Sequence, residues 1–128
     1  MADRRAVGRD GESAAIAYLA ERGYVVLHRN FRYGRYGEID IIAKKSGVVC
    51  FIEVKSRTGD AYGAPAEAVG YAKRKKILGV AGHFLRISGY HAYKLRFDII
   101  EVYLHKNGAQ GAPRAVKSIR HIENAFGE

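Results

Sequence analysis

Residues 37–57 read GEIDIIAKKSGVVCFIEVKSR, and no other stretch restricts the fold as much. Two apolar runs, EIDIIA and VVCFIEV, stand on either side of KKSG, the pattern of a buried β-hairpin. Asp40, Glu53 and Lys55 are set into those runs where Val or Thr would fold more easily. Burying charge costs free energy unless it is paired. Two acids and a lysine placed together in a hairpin therefore ask for a reason beyond folding.

With KKSG as a four-residue loop, Ala43 pairs with Val48 and Asp40 falls opposite Phe51. Alternation then puts Asp40, Phe51, Glu53 and Lys55 on one face and Ile39, Ile41, Cys50, Ile52 and Val54 on the other, which is core. Asp40 lies diagonally beside Glu53, roughly 7 Å away between backbones, so the two carboxylates can converge. Neighbouring carboxylates resist ionising together unless a cation compensates. Mg²⁺ or Mn²⁺ suits oxygen ligands of this kind, and Lys55 emerges on the same face, in reach of a bound water or a phosphate. An Asp, a Glu and a Lys around such an ion can hydrolyse a phosphodiester. A salt bridge from Lys55 to either acid on a solvated strand face is the plainer alternative.

The rest of the chain predicts one domain over residues 1–128. Ala14, Ala15, Tyr18 and Leu19 mark an amphipathic helix over about 10–22, ended by Gly23. YVVLHRN follows as a short strand, and FRYGRYG as a mobile loop. From about Ala66 to Ile87 an apolar stripe (Ala68, Val69, Ala72, Ile77, Leu78, Val80, Ala81, Phe84, Leu85) predicts a second helix, which Gly70 and Gly79 weaken, with Lys73–Lys76 as its basic face. YKLRFDIIEVYL is a long strand, NGAQGAP a loop, and VKSIRHI a last short strand. The order predicts an α/β fold with a mixed central sheet flanked by helices.

Lys and Arg number 22 against 13 Asp and Glu, a formal charge of +9 that attracts polyanions, nucleic acid above all. In HRNFRYGRYG, Arg29, Arg32 and Arg35 alternate with Phe31, Tyr33 and Tyr36. Arginines contact phosphates and rings stack on exposed bases, so this loop suits flexible or branched nucleic acid; rings anchoring the loop to the core would give the same pattern. Arg57, just past Lys55, is placed for a phosphate near the metal. Asp98, inside LRFDII, either supports the metal site or pairs with Arg96 or Lys94. Cys50, the single cysteine, excludes an internal disulfide and a Cys-rich zinc site, and reads as a core thiol. The five histidines have no ligand spacing, and there is no P-loop and no Ser/His/Asp arrangement. No run approaches the ~20 apolar residues of a membrane span, and the start has no signal-peptide core, so a cytoplasmic protein is expected.

Asp40 followed by Glu53-Val54-Lys55 resembles the PD-(D/E)-x-K signature of the restriction-endonuclease-like nucleases, with Ile39 where the signature has its proline. The wider frame of GES, GYVVLHRNFR, GEIDIIA, FIEVKSR, APAEAV followed by Lys73, and RFDII resembles the uncharacterised YraN-like family, which is similar to archaeal Holliday junction resolvases. The likeness runs from about Gly8 to Phe126. It implies a restriction-endonuclease-like core of four or five strands between helices. It also implies Asp40 and Glu53 as metal ligands, the Val54 carbonyl as a further ligand, Lys55 as the catalytic lysine and Glu12 on the first helix as an added acid. At Glu12, near the expected helix start, a capping role by favourable interaction with the helix dipole competes with the catalytic one.

The leading expectation is thus a Mg²⁺- or Mn²⁺-dependent endonuclease acting on branched or single-stranded DNA, with Arg32, Arg35, Arg57 and Lys73 on the backbone. Symmetric cutting of two strands, as in a resolvase, implies a homodimer. The rival expectations are a nucleic-acid-binding module of the same fold that cuts little or not at all, and an adaptor in DNA repair or uptake.

Overall fold

The computed structural model describes residues 4–59, 71–90, 93–106 and 111–125. Its spine is β3, Val48–Thr58, whose run of Val, Phe and Ile favours a pleated, half-buried surface. To one side lie β2 (Glu38–Lys45) and then β1 (Val25–Arg32). To the other lie β4 (Lys94–Leu104) and then β5 (Val116–Ile122), giving the sheet order β1-β2-β3-β4-β5. β3 and β4 run parallel and every other pair antiparallel, so the sheet is mixed, as expected.

Helix α1, Arg4–Glu21, packs on one face through Ala15 and Leu19 against Ile41, Ala43, Cys50, Ile52, Ile100, Val102 and Leu104. Helix α2, Tyr71–Ser88, packs on the other through Ile77, Val80, Ala81 and Phe84 against Phe31, Ile39, Ile42, Val49, Phe51 and Phe97. Cys50 is a buried free thiol, as expected, and its burial pushes its pKa up to about 12, so it is not a thiolate at neutral pH. Among the described residues no helix is long and apolar enough to cross a membrane.

Several boundaries differ from the expectation. α1 begins by Arg4, at least six residues before the predicted start, because Val7 reaches the core and Asp10 is tied to Arg114, 3.0 Å away. It ends as predicted at Gly23, where the Gly23 and Tyr24 N–H groups donate back to the Ala20 and Leu19 carbonyls. FRYGRYG is not a loose loop: β1 runs through Arg32, and Gly34–Tyr36 form a 3-10 turn. Phe31 is buried edge-on against Phe84, and Tyr33 stacks on His83 with ring centroids 3.8 Å apart. The rings of this segment thus anchor it to α2, the plainer of the two roles. α2 passes unbroken through Gly79, since the Tyr36 ring occupies the space a Cβ would fill. APAEAV (64–69), Gly70, His91 and part of NGAQGAP (107–110) lie outside the described residues.

Candidate metal and nucleic-acid site

The hairpin turn is shorter than predicted. Lys44 and Lys45 belong to β2, and Ser46 and Gly47 alone make the turn, both at positive φ (51° and 79°), the two-residue form whose twist matches its strands. Lys45 pairs with Val48 and Ile41 with Ile52. Continued by one residue, that register sets Asp40 across from Glu53 instead of Phe51.

The paired ladder stops at Ile41 and Ile52, whereas β3 continues beside β4 to Thr58. In the gap that opens between β2 and β3, the Asp40 carboxylate takes the place of a partner strand: its Oδ2 accepts the Val54 N–H at 2.8 Å. A strand residue presents its N–H and C=O to the same neighbour, so the Val54 carbonyl faces this gap too. Alternation breaks at the same point. Ile39 packs in the α2 layer and Ile41 in the α1 layer, so the predicted grouping of Ile39 with Ile41 does not hold. The strand rolls at Asp40, and the carboxylate borders openings on both sides of the sheet.

On the α2 side the opening is about 190 Å³ and is lined by Glu38, Glu53 and Lys73. Glu53 Oε2 receives Lys73 Nζ at 2.7 Å and Lys55 Nζ at 3.1 Å. Glu53 and Lys55 therefore do share a face, and α2 brings Lys73 to it. On the α1 side a cleft of about 770 Å³ reaches Asp40 past Glu12, Val54, Ser56 and Thr58. Gly11 is buried against Ser56, and any side chain there would strike the Ser56 hydroxyl. This close approach seats the middle of α1 on β3 and lets Glu12 line the cleft. Since Glu12 lies two turns inside α1, the predicted helix-dipole role at the N-terminus does not apply.

Electrostatics follow from this crowding. Burial foremost, and then the charges of Glu12, Glu53 and Glu38, push the Asp40 carboxyl up to about 6, against the Val54 N–H bond that pulls it down. Burial also raises Glu12, opposed by a hydrogen bond with the Asn30 side chain and by Arg29. A chain of formal charge +9 thus gathers four carboxylates around one gap in its sheet.

The sequence profile of uncharacterised protein family UPF0102 matches residues 11–102. A UPF0102 protein of Acetivibrio thermocellus is 44% identical over 124 residues, covering 97% of this chain and 93% of its own. One from Caldanaerobacter subterraneus is 40% identical, covering 97% of each chain, and one from Rhodococcus jostii is 40% identical, covering 98% of this chain and 100% of its own. The chain belongs to the UPF0102 family. This bears out the YraN-like resemblance, while the relatives' names state no activity.

In this UPF0102 chain the other residues singled out from sequence fall into separate places. Arg29 and Arg32 are exposed on β1 and Arg35 on the 3-10 turn after it, with Arg32 3.7 Å from Glu38 and Arg29 acting electrostatically on Glu12. Arg57 lies on the Lys55 face, its Nε 4.0 Å from the fully buried Glu101 of β4. Asp98 is fully buried on its structural partners: Arg96 Nε donates at 2.9 Å, the Asn124 N–H at 3.0 Å, and His121 Nε2 lies at 2.7 Å. It takes no part in the gap.

Sequence reading missed Glu38, Ser56 and Glu101. Glu38 and Glu101 carried the signal that exposed Asp40, an acid at or inside an apolar strand run (GEIDII, IIEVYL). Ser56 carried none, since its role comes from Gly11, 45 residues earlier.

Asp40, Glu53 and the Val54 carbonyl are oxygen donors of the kind a hard divalent ion takes. Among the described residues no three His, Cys, Asp or Glu side chains converge as a ready-made metal cage. Two carboxylates and a carbonyl, completed by water, match the habit of Mg²⁺, which keeps several waters and takes one or two protein carboxylates. Asp40 accepts the Val54 N–H through Oδ2, one of its two carboxylate oxygens.

Proposed function

We propose that this chain is a metal-dependent DNA endonuclease of the restriction-endonuclease-like class, acting on branched or single-stranded DNA. The observation that carries the reading is Asp40, lodged in the gap between β2 and β3 and pushed up to about 6 by burial and by the charges of Glu12, Glu53 and Glu38. Such a cluster is costly in a folded domain and is relieved by a divalent cation.

Asp40, Glu53 and the Val54 carbonyl would hold Mg²⁺ or Mn²⁺. The ion supplies polarisation of a phosphate oxygen and a more acidic bound water. Lys55, ion-paired with Glu53, orients the attacking water and offsets the negative charge gathering on the phosphoryl oxygens. As the water oxygen bonds to phosphorus, the bond from phosphorus to the departing sugar oxygen breaks; the water proton passes to a neighbouring carboxylate, and the departing oxygen takes a proton from solvent. Arg32, Arg35, Arg57 and Lys73 supply backbone contacts, which add salt-dependent affinity without sequence preference. Cutting two strands symmetrically would take a second copy of the chain.

One observation favours a second reading, a nucleic-acid-binding module that does not cut. Lys73 and Lys55 together already neutralise Glu53. The deciding experiment incubates the protein with labelled four-way junction, flap, single-stranded and duplex DNA in Mn²⁺, Mg²⁺ or EDTA. Metal-dependent cleavage that falls at least a hundredfold in Asp40→Ala and Lys55→Ala supports the nuclease. Binding with no cleavage of any substrate in either metal establishes the module instead.

A further inference from the structure

The cleft on the α1 side has walls and floor of opposite charge. Asp40 and Glu12 lie at its floor; Arg4, Lys106 and Arg114 stand around it, drawn from the start of α1 and from the two ends of the β4–β5 connection. All three cations lie outside the stretch matched by the family profile, whereas both acids lie within it. Arg114 is held in place before any ligand arrives. Asp10 Oδ2 accepts both its Nη1, at 3.0 Å, and its backbone N–H, at 3.1 Å, and the Arg114 side chain is only 17% exposed. Arg4 and Lys106 are exposed.

We infer that this cleft takes an unpaired nucleic-acid strand, its phosphates on Arg4, Lys106 and Arg114 and one phosphate drawn toward the acids at the floor. The inference rests on the nuclease reading for the direction of the strand, and adds which face it enters and in what form. A volume of about 770 Å³ is more than one phosphate needs and leaves room for neighbouring groups of the same strand. Asp40 stands where β2 parts from β3 and lines this cleft together with Glu12, so a single strand, whose phosphates are not fixed in a helix, can bring one to it with less rearrangement than a duplex. Arg74 and Lys76 of α2 are exposed on the opposite side of the sheet and serve as controls for charge alone.

The test measures fluorescence anisotropy of a labelled single-stranded oligonucleotide and of the matching duplex, in EDTA across a salt series. The proteins are the full chain, Arg4→Glu, Lys106→Glu and, on α2, Arg74→Glu and Lys76→Glu. All four positions are exposed, and the helical circular dichroism melt reports that each variant folds. The expected result is a loss of single-strand affinity of tenfold or more in Arg4→Glu and Lys106→Glu. Each should also remove about 0.7 from the slope of log K against log salt, the contribution of one single-strand phosphate contact. Single-strand affinity should change less than twofold in Arg74→Glu and Lys76→Glu, and duplex affinity should fall less than single-strand affinity in the cleft variants. Single-strand affinity unchanged in both cleft variants overturns the inference, and so does a free mononucleotide that competes as well as the oligonucleotide. Because binding is read in EDTA, separately from the cleavage assay above, loss of single-strand binding in the cleft variants of a protein that cuts nothing in that assay upholds the cleft and sinks the nuclease. Cleavage with unaltered binding does the reverse.

Discussion

At the scale of single residues, Gly11 and Asp98 carry as much of the architecture as the acids in the gap. A Cβ at Gly11 would meet the Ser56 side chain, so Gly11→Ala gains helix propensity but forces α1 off β3. The expected net effect is a loss of about 1–2 kcal/mol in chemical denaturation, rescued largely in Gly11→Ala/Ser56→Gly, where the clashing side chain is gone. Asp98 gives a pH prediction. Burial pushes its carboxyl up, but the bonds to His121, Arg96 and the Asn124 N–H outweigh burial and leave it below its ordinary value of 3.8. A carboxylate depressed in the folded state stabilises above its unfolded pKa, and that stability is lost as pH falls through the folded one. Asp98→Asn should cost about 3 kcal/mol at pH 7, by leaving Arg96 without its buried partner. The gap between variant and wild type should narrow in urea melts below about pH 4. A gap that stays constant from pH 7 to pH 3 would contradict this account of Asp98.

At the scale of elements, what was legible in the sequence depended on where each element finds its partners. β4 and β5 stand within a residue of their predicted spans because β-branched runs bounded by polar residues need only their own sheet to be explained. The first turns of α1 were not legible, since RRAVGRD shows little apolar periodicity and is held by Asp10 against Arg114, 104 residues away. Phe31 and Tyr33 read as candidates for stacking on bases because their true partners, His83 and Phe84, come some fifty residues later. The register slip around Ser46-Gly47 had a local signal: a Ser-Gly pair is sufficient for a two-residue turn. In the candidate site, the clustering of Asp40, Glu53 and Lys55 was legible from alternation, and the lodging of Asp40 between strands was not. That position depends on β2 parting from β3 beyond Ile41 while it stays paired with β1 and β3 stays paired with β4, which is a property of the whole sheet and of no single run.

At the scale of the molecule, a mixed sheet with one helix on each face places Asp40 at the seam between two openings of different character. The α2 side offers Glu53 held by Lys55 and Lys73; the α1 side offers Glu12 and a ring of cations. A divalent ion seated in the seam should stabilise the fold by mass action, about 2.7 kcal/mol at a hundred times the dissociation constant. It should also do so through Asp40 whatever the protein's activity on DNA. The most direct measurement is Mn²⁺ binding followed by electron paramagnetic resonance, in the intact chain and in Asp40→Asn, which keeps the side chain's shape and an oxygen to accept the Val54 N–H. The account predicts one Mn²⁺ per chain, with affinity at least tenfold weaker in Asp40→Asn. Absence of binding at millimolar Mn²⁺, or binding that Asp40→Asn leaves unchanged, would contradict it.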